Sequence, residues 1–191
     1  MYSFNVAMAA VVFDKDGRIM EAEVDVYEVS TPNYDGATMP HFSGWPNTEG
    51  YNVYDQQQGK VTGKSENTEQ SAADELAAWK TKRDRGDSYG MNPKNDWYRQ
   101  MDAYEAWMRG KTADELRDWF ARYTSERNGR PIKADSDNED DKKALAGMTD
   151  SARAELADVV SMATMSLSDG HSLLLEAIEK AWSNAKPYGG G

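Results

Sequence analysis

The sequence predicts an α+β fold, an N-terminal antiparallel β-hairpin or sheet packed against several helices. Three observations carry that expectation. Apolar residues alternate on both sides of an Asp16-Gly17 turn, apolar residues recur at helical spacing through the second half, and an amphipathic segment ends before Pro187.

The first strand runs over 2–13, with Tyr2, Phe4, Val6, Met8, Ala10 and Val12 sharing one face. An Asp-Gly pair supplies the positive φ that a tight hairpin needs. Residues 19–29 alternate again: Met20, Ala22, Val24 and Val26 face one way, and Glu21, Glu23 and Asp25 face the other. Residues 30–50 hold Pro32, Pro40 and Pro46 with Tyr34, Phe42 and Trp45. A loop so rich in aromatics packs on something. Phe42 and Trp45 are expected to plug the end of the hairpin core. A cofactor cover or a partner patch is the other use of such rings. Residues 51–63 read as a second short hairpin that turns near Gln58-Gly59.

Helices follow. Residues 71–85 form one candidate with Leu76 and Trp79 inward, stopped by Gly86. Trp97, Met101, Tyr104 and Met108 form the apolar face of a second, and Gly110 ends it. Thr112 to Glu115 is a capping box that opens a third, with Leu116, Trp119, Phe120 and Tyr123 on its face. Asn128-Gly129 and Pro131 close that segment. The acidic run Asp135 to Asp141 reads as a solvated loop over 134–143; it lacks the glycine and terminal glutamate of an EF-hand. Residues 149–157 are a short helix candidate. Ser168 or Asp169 is expected to cap a last helix carrying Leu174, Leu175, Ile178 and Trp182. The whole reads as a single domain over 1–188 with a Pro/aromatic loop insertion (30–50) and a flexible tail at 189–191.

Composition narrows the function. The 191 residues carry a formal net charge of −11. An acidic chain is poorly suited to a nucleic-acid partner, because phosphate backbones attract basic patches. Cysteine is absent and there are two histidines, His41 and His171. That excludes thiol catalysis, Cys zinc sites and a His-rich metal site. No GxGxxG, Walker A or GxSxG occurs. No run of 18 apolar residues is present, so no membrane span is expected. The N-terminal residues lack a basic n-region and read as structure rather than as a signal peptide.

One segment is chemically distinctive: Asp158-Val-Val-Ser161-Met162-Ala163-Thr164-Met-Ser166. Thr164 or Ser166 alone reads as a helix N-cap, and Asp158 and Ser161 as local turn residues. Together they resemble the flavin-attachment motif of FMN-binding domains, the type found in Rnf and Nqr electron-transfer subunits and in extracellular electron-transfer proteins. Asp158, Ser161, Ala163, Thr164 and Ser166 match that pattern, and Met162 replaces its glycine. The opening strand pair around the Asp-Gly turn is similar to the family's, and KTKRDRGDSYGM and GKTADEL are similar to segments of its exported bacterial members.

The resemblance implies that FMN is joined through its phosphate to Thr164 by a flavin transferase, near Asp158, Ser161, Ala163 and Ser166. It implies an electron carrier with no substrate of its own, a redox partner protein that is a haem or flavin protein, and an extracytoplasmic location. A threonine placed just before a helix would put the phosphate at the positive end of the helix dipole. The alternative is a flavin-free relative that acts as an assembly module through the Met39 to Pro46 loop. A third reading is a binding protein for a small aromatic ligand in that loop.

Overall fold

The computed structural model describes residues 3–30, 40–50, 52–55, 57–64, 67–90, 94–169 and 173–187. Tyr2, the side chain of Phe4, Pro32, Tyr34, Met39, Tyr51, His171 and the 189–191 tail lie outside the described residues. The fold is α+β. Strands β1 (Ser3–Phe13) and β2 (Ile19–Ser30) form an antiparallel two-stranded sheet. Strands β3 (Asn52–Asp55) and β4 (Lys60–Lys64) form a second. Helices α1 (Glu69–Ala78), α2 (Lys82–Arg85), α3 (Trp97–Met108), α4 (Ala113–Tyr123), α5 (Glu139–Ala146), α6 (Asp150–Met162) and α7 (Leu174–Ser183) follow, with a 3-10 turn at Gly86–Tyr89. Among the described residues no helix is long and apolar enough to cross a membrane.

The chain packs as two compact units, Met1–Val6 with Val26–Met91 and Ala7–Asp25 with Asn92–Gly191. In the first unit, the end of the aromatic loop is stitched to β2. Ser30 N donates to Pro40 O at 3.1 Å, and Phe42 N donates to Ser30 O at 2.9 Å. The Trp79 indole donates to His41 O at 2.7 Å and its ring lies 6.4 Å from that of Phe42. Phe42 is thus half-buried, whereas Trp45 is 72% exposed and plugs nothing. The expected helix over 71–85 is two helices. Trp79 is held by His41, and Thr81 caps α2 by accepting from Asp84 N at 3.1 Å, so the chain leaves and re-enters the helical conformation. Leu76, expected inward, is exposed. The second hairpin turns where expected, with Gly59 at φ 64°.

In the second unit the apolar face of α3 is fully buried, as its spacing predicts. Glu105 lies on the same side, and its carboxylate accepts the Val24 N–H of β2 at 2.8 Å. Gly110 N donates to Ile19 O at 2.8 Å, and Ile19 N donates to Lys111 O at 2.9 Å. A helix and its following turn therefore satisfy the strand edge where a third strand would otherwise be needed. These bonds turn Ile19 inward and leave Met20 exposed, the reverse of the expected face at that end of β2. On β1, Val6, Ala10 and Val12 point to solvent. Alternation fixes which residues share a face, and packing decides which face meets the core.

Three further expectations change here. The acidic run is only partly a loop. Asn138 caps α5 by accepting from Asp140 N (2.9 Å) and Asp141 N (3.0 Å), and acidic residues fill the first turn, where the helix dipole favours them. Helix α6 continues past Ala157 to Met162. Helix α7 begins at Leu174 without a side-chain cap. Ser168 N and Asp169 N instead bond Ser166 Oγ, each at 3.1 Å.

Gly129 sits at φ 65°, and a Cβ built there would lie 2.5 Å from Ser166 Oγ. Gly129→Ala is expected to lower unfolding free energy by about 1–3 kcal/mol in urea titrations. Gly147→Ala, whose Cβ meets nothing closer than 3.6 Å, is the control and should show no such loss. Equal effects at the two positions would refute the close approach.

Candidate functional site

Helix α6 carries Asp158 and Ser161 in its last turn, both exposed, and the Ser161 hydroxyl donates back to Asp158 O at 2.6 Å. The motif is thus split: its first half is helical, and Ala163, Thr164 and Ser166 lie in the extended segment beyond. Met162 is the last helical residue and has an ordinary negative φ, so the residue in place of the family glycine brings no backbone strain. Ala163 is buried and closes the helix by donating to Val159 O at 2.8 Å.

Residues 163–167 belong to no helix or sheet, so their backbone groups need other partners. Side chains of α3 and its approach supply them. Asn95 Nδ2 donates to Met162 O at 2.9 Å. Thr164 N donates to Gln100 Oε1 at 2.8 Å. Tyr104 Oη donates to Met165 O at 2.8 Å. Gln100 is itself oriented, because its Nε2 donates to Asn95 O at 2.9 Å. Gln100 and Tyr104 are fully buried, and burial pushes the Tyr104 phenol above its ordinary pKa. Thr164 is half-buried, and among the described residues its hydroxyl reaches only Gln100 Oε1, at a long 3.4 Å.

That threonine lines a cavity of about 300 Å³. Arg127, Arg130 and Lys133 line it too, from the turn after α4. The turn is tight: Ser125 N donates to Arg130 O at 2.8 Å, and Ile132 N donates to Tyr123 O at 3.0 Å. Asp135, Asp137 and Asp141 line the cavity from the approach to α5 and its first turn. Asp141 is buried and accepts from Ser136 Oγ at 2.6 Å. Among the described residues the side chains of Arg127, Arg130 and Lys133 have no ion pair or hydrogen bond. Ser166 is buried against Gly129 and does not line the cavity.

The structure thus places Thr164 at the cavity, Ala163 and Ser166 behind it, and Asp158 and Ser161 on the exposed face of α6. It also changes the expected dipole argument. The helix end next to Thr164 in sequence is the C-terminus of α6, not the N-terminus of a following helix. The sequence reading missed Gln100, Tyr104 and the three cations. Their signal was available in Arg127-Asn-Gly-Arg130-Pro-Ile-Lys133, a basic turn directly before an acidic run.

No protein-family model matches the chain, and no solved structure matches it. The chain is similar to a curated protein from Desulfitobacterium hafniense described as chlorophenol reductase. The two are 32% identical over 192 residues, which cover 96% of this chain and 52% of the relative. The chain therefore spans about half the length of the curated relative it matches.

Two outcomes follow from the hydrogen bonds. Gln100→Leu leaves the Thr164 N–H without its acceptor and should cost about 1–3 kcal/mol in urea unfolding, with faster amide exchange at Thr164. Unchanged exchange there would refute the role of Gln100. The Tyr104 phenol keeps its proton in the folded chain and loses it near its ordinary 10.0 when unfolded. The folded state then binds more protons, so stability should fall as pH rises past about 10. Tyr104→Phe should flatten that alkaline slope, measured by unfolding at pH 8 through 11.

Proposed function

We propose that this chain is an electron-transfer domain that carries FMN on Thr164, through a phosphoester to its hydroxyl oxygen. The observation that carries this reading is the placement of Thr164 Oγ1. Its residue is half-buried and lines a cavity, among the described residues the hydroxyl makes no hydrogen bond shorter than 3.4 Å, and the segment is fixed by three side chains. The motif resemblance assigns the flavin to this residue. The bond formed joins Oγ1 to the flavin's phosphorus, and the P–O bond between that phosphorus and the activating phosphate of the donor breaks. The activating group leaves as its free phosphate while the hydroxyl proton passes to solvent; a flavin transferase supplies the activated donor. When bound, the flavin would supply one- or two-electron transfer. The chain's own residues hold the segment, neutralise phosphate charge and give the tether a fixed origin. No side-chain acid, base or nucleophile is needed in turnover.

Fit with the chain's own groups supports the reading. Arg127, Arg130 and Lys133 are the residue types that hold phosphate, and they line the same cavity as Thr164. The relative from Desulfitobacterium is described as a reductase, which is consistent with redox work but concerns a protein of about twice this span. The partner is a redox protein with a basic or haem-bearing face. With a net charge of −11 on this side, that contact should weaken as salt rises. The motif resemblance places the work outside the cytoplasm. One observation favours the second reading, an assembly module: Trp45 is exposed on a loop that is itself well anchored.

The test is co-expression with a flavin transferase, followed by intact mass and visible absorbance of the denatured chain. The wild type should gain one FMN and stay yellow after unfolding. Thr164→Ala should stay colourless with an unchanged melting curve, and Thr164→Ser should retain the label. A wild-type chain that gains no mass, or a label mapped to another residue, would sink the assignment.

A further inference from the structure

We propose that the outer edge of β1 docks a second copy of this chain, pairing β1 with β1 in an antiparallel register centred on Ala10. The proposal uses only residues of the second unit and is independent of the flavin reading.

The sheet of β1 and β2 has two edges, and the fold treats them differently. The far edge of β2 is closed. Glu105 accepts the Val24 N–H there, and Ile19 exchanges backbone bonds with Gly110 and Lys111. Strand β1 has β2 on one side, and among the described residues no strand, turn or helix bonds the other side of Ala7 to Phe13. Asp14 N donates to Arg18 O at 2.9 Å, so Asp14 faces across the hairpin. Strand alternation then turns the N–H and C=O groups of Ala7, Ala9, Val11 and Phe13 to the open edge. Residues 7–13 read AMAAVVF, with no charge, proline or glycine. Those are the devices by which an edge strand resists pairing, and this edge lacks them. None of these residues is buried, and Val12 is 61% exposed.

The segment is complementary to itself. An antiparallel copy centred on Ala10 sets Ala7 opposite Phe13, Met8 opposite Val12, Ala9 opposite Val11 and Ala10 opposite Ala10. Every residue from 7 to 13 is paired, and the groups that point to the open edge meet their own kind, giving about eight backbone hydrogen bonds. On the inward face each larger side chain meets an alanine. Phe13, whose ring already lies 5.0 Å from that of Trp182, meets only Ala7. On the outward face Met8 of one copy covers Val12 of the other. A strand with charged residues at these positions would lay them against those apolar side chains.

Charge favours the same occupant. The exposed carboxylates of the sheet, Glu21 and Glu23, lie on β2. Pairing β1 with β1 keeps them on the outer strands, three strand spacings or about 14 Å from their counterparts. That exceeds the screening length of about 8 Å at physiological salt. Because the far edge of β2 is closed in both copies, the sheet stops at four strands and the assembly is a two-fold dimer rather than a filament. Two chains of net charge −11 repel at long range, so this association should tighten as salt rises, the opposite of the redox contact proposed above.

The test uses the full chain. Sedimentation equilibrium should show the mass rising with concentration from 21.4 kDa toward twice that value, more readily at high salt. Ala9→Pro removes a donor from the open edge, spares the bonds to β2, and should leave a monomer. Val12→Lys on the solvent face should weaken association about tenfold with an unchanged melting curve. Adding Met8→Glu should restore it, because the register sets positions 8 and 12 against each other. The chain has no cysteine, so Ala10→Cys places two thiols across the dyad, where opposed Cα atoms are about 4.5 Å apart and within disulfide reach. It should cross-link on mild oxidation, and Met20→Cys on β2 should not. A monomer at every concentration, Met20→Cys linking as fast as Ala10→Cys, or a Val12→Lys chain that associates like the wild type would each overturn the proposal. So would an edge that takes a strand from another protein and none from its own copy.

Discussion

Much of the second unit depends on a set of hydrogen bonds from one helix to backbone that has no ladder of its own. Helix α3 and its approach offer Asn95, Gln100 and Tyr104 to the segment after α6, and Glu105 to the edge of β2. Each bond is worth only about 0.5–1.5 kcal/mol net, but a buried group left unpaired costs about 1–3 kcal/mol. The geometry is therefore set less by what the bonds add than by what their loss would cost. Gln100 and Tyr104 lie one helical turn apart, so they meet two nearby peptide groups of an extended segment. Rotating α3 by one residue would orphan both segments and expose Trp97, Met101 and Met108 together. Apolar packing and polar satisfaction thus select the same orientation, and Thr164 inherits its position from it.

A second constraint joins the two sides of the cavity. Ser166 matches the flavin motif, yet its hydroxyl caps the turn at 168–169 and touches Gly129. That contact spaces the segment that carries Thr164 from the turn that bears Arg127 and Arg130. A larger side chain at either position would clash across that contact. Asp158 and Ser161 act differently again, because they finish a helix and face solvent. Residues adjacent in a motif can thus hold separate structural duties, with Thr164 alone of the five lining the cavity.

The fold was legible wherever apolar spacing or a cap carried the information. The α3 face, the Thr112 capping box and the Asp-Gly hairpin follow from periodicity and turn chemistry, which are local properties. What failed was non-local. The outward face of β1 and the inversion at Ile19 and Met20 depend on which neighbour covers the sheet. The break at Trp79 depends on a carbonyl far back in the chain at His41. Helix α6 ran on through Val159, Val160 and Met162 because no residue there breaks a helix, although the motif had suggested a loop. For the candidate site, the motif names Thr164, and nothing in it names the side chains that hold that segment. Gln100 occupies a polar-looking position that apolar periodicity ignores, and its value lies in a partner 64 positions away. The cations read as ordinary surface charge until the fold places them around the cavity that Thr164 lines.

The reversal of the helix-dipole expectation explains why those cations matter. A phosphate on Thr164 would stand just past the C-terminus of α6, where the dipole is negative and disfavours an anion by about 0.3–1 kcal/mol. The N-terminus of α5 gives little help, because Asn138 already accepts from its first amides and three carboxylates fill its opening turn. Helix termini therefore cannot stabilise the phosphate here, in a chain whose net charge of −11 already opposes it. Arg127, Arg130 and Lys133 are the positive groups at the cavity, and close charge-assisted bonds to phosphate exceed a dipole effect of that size. An anion at Thr164 would thus be held by side chains rather than by backbone. It should then be released by neutralising those side chains while the fold around it stays intact.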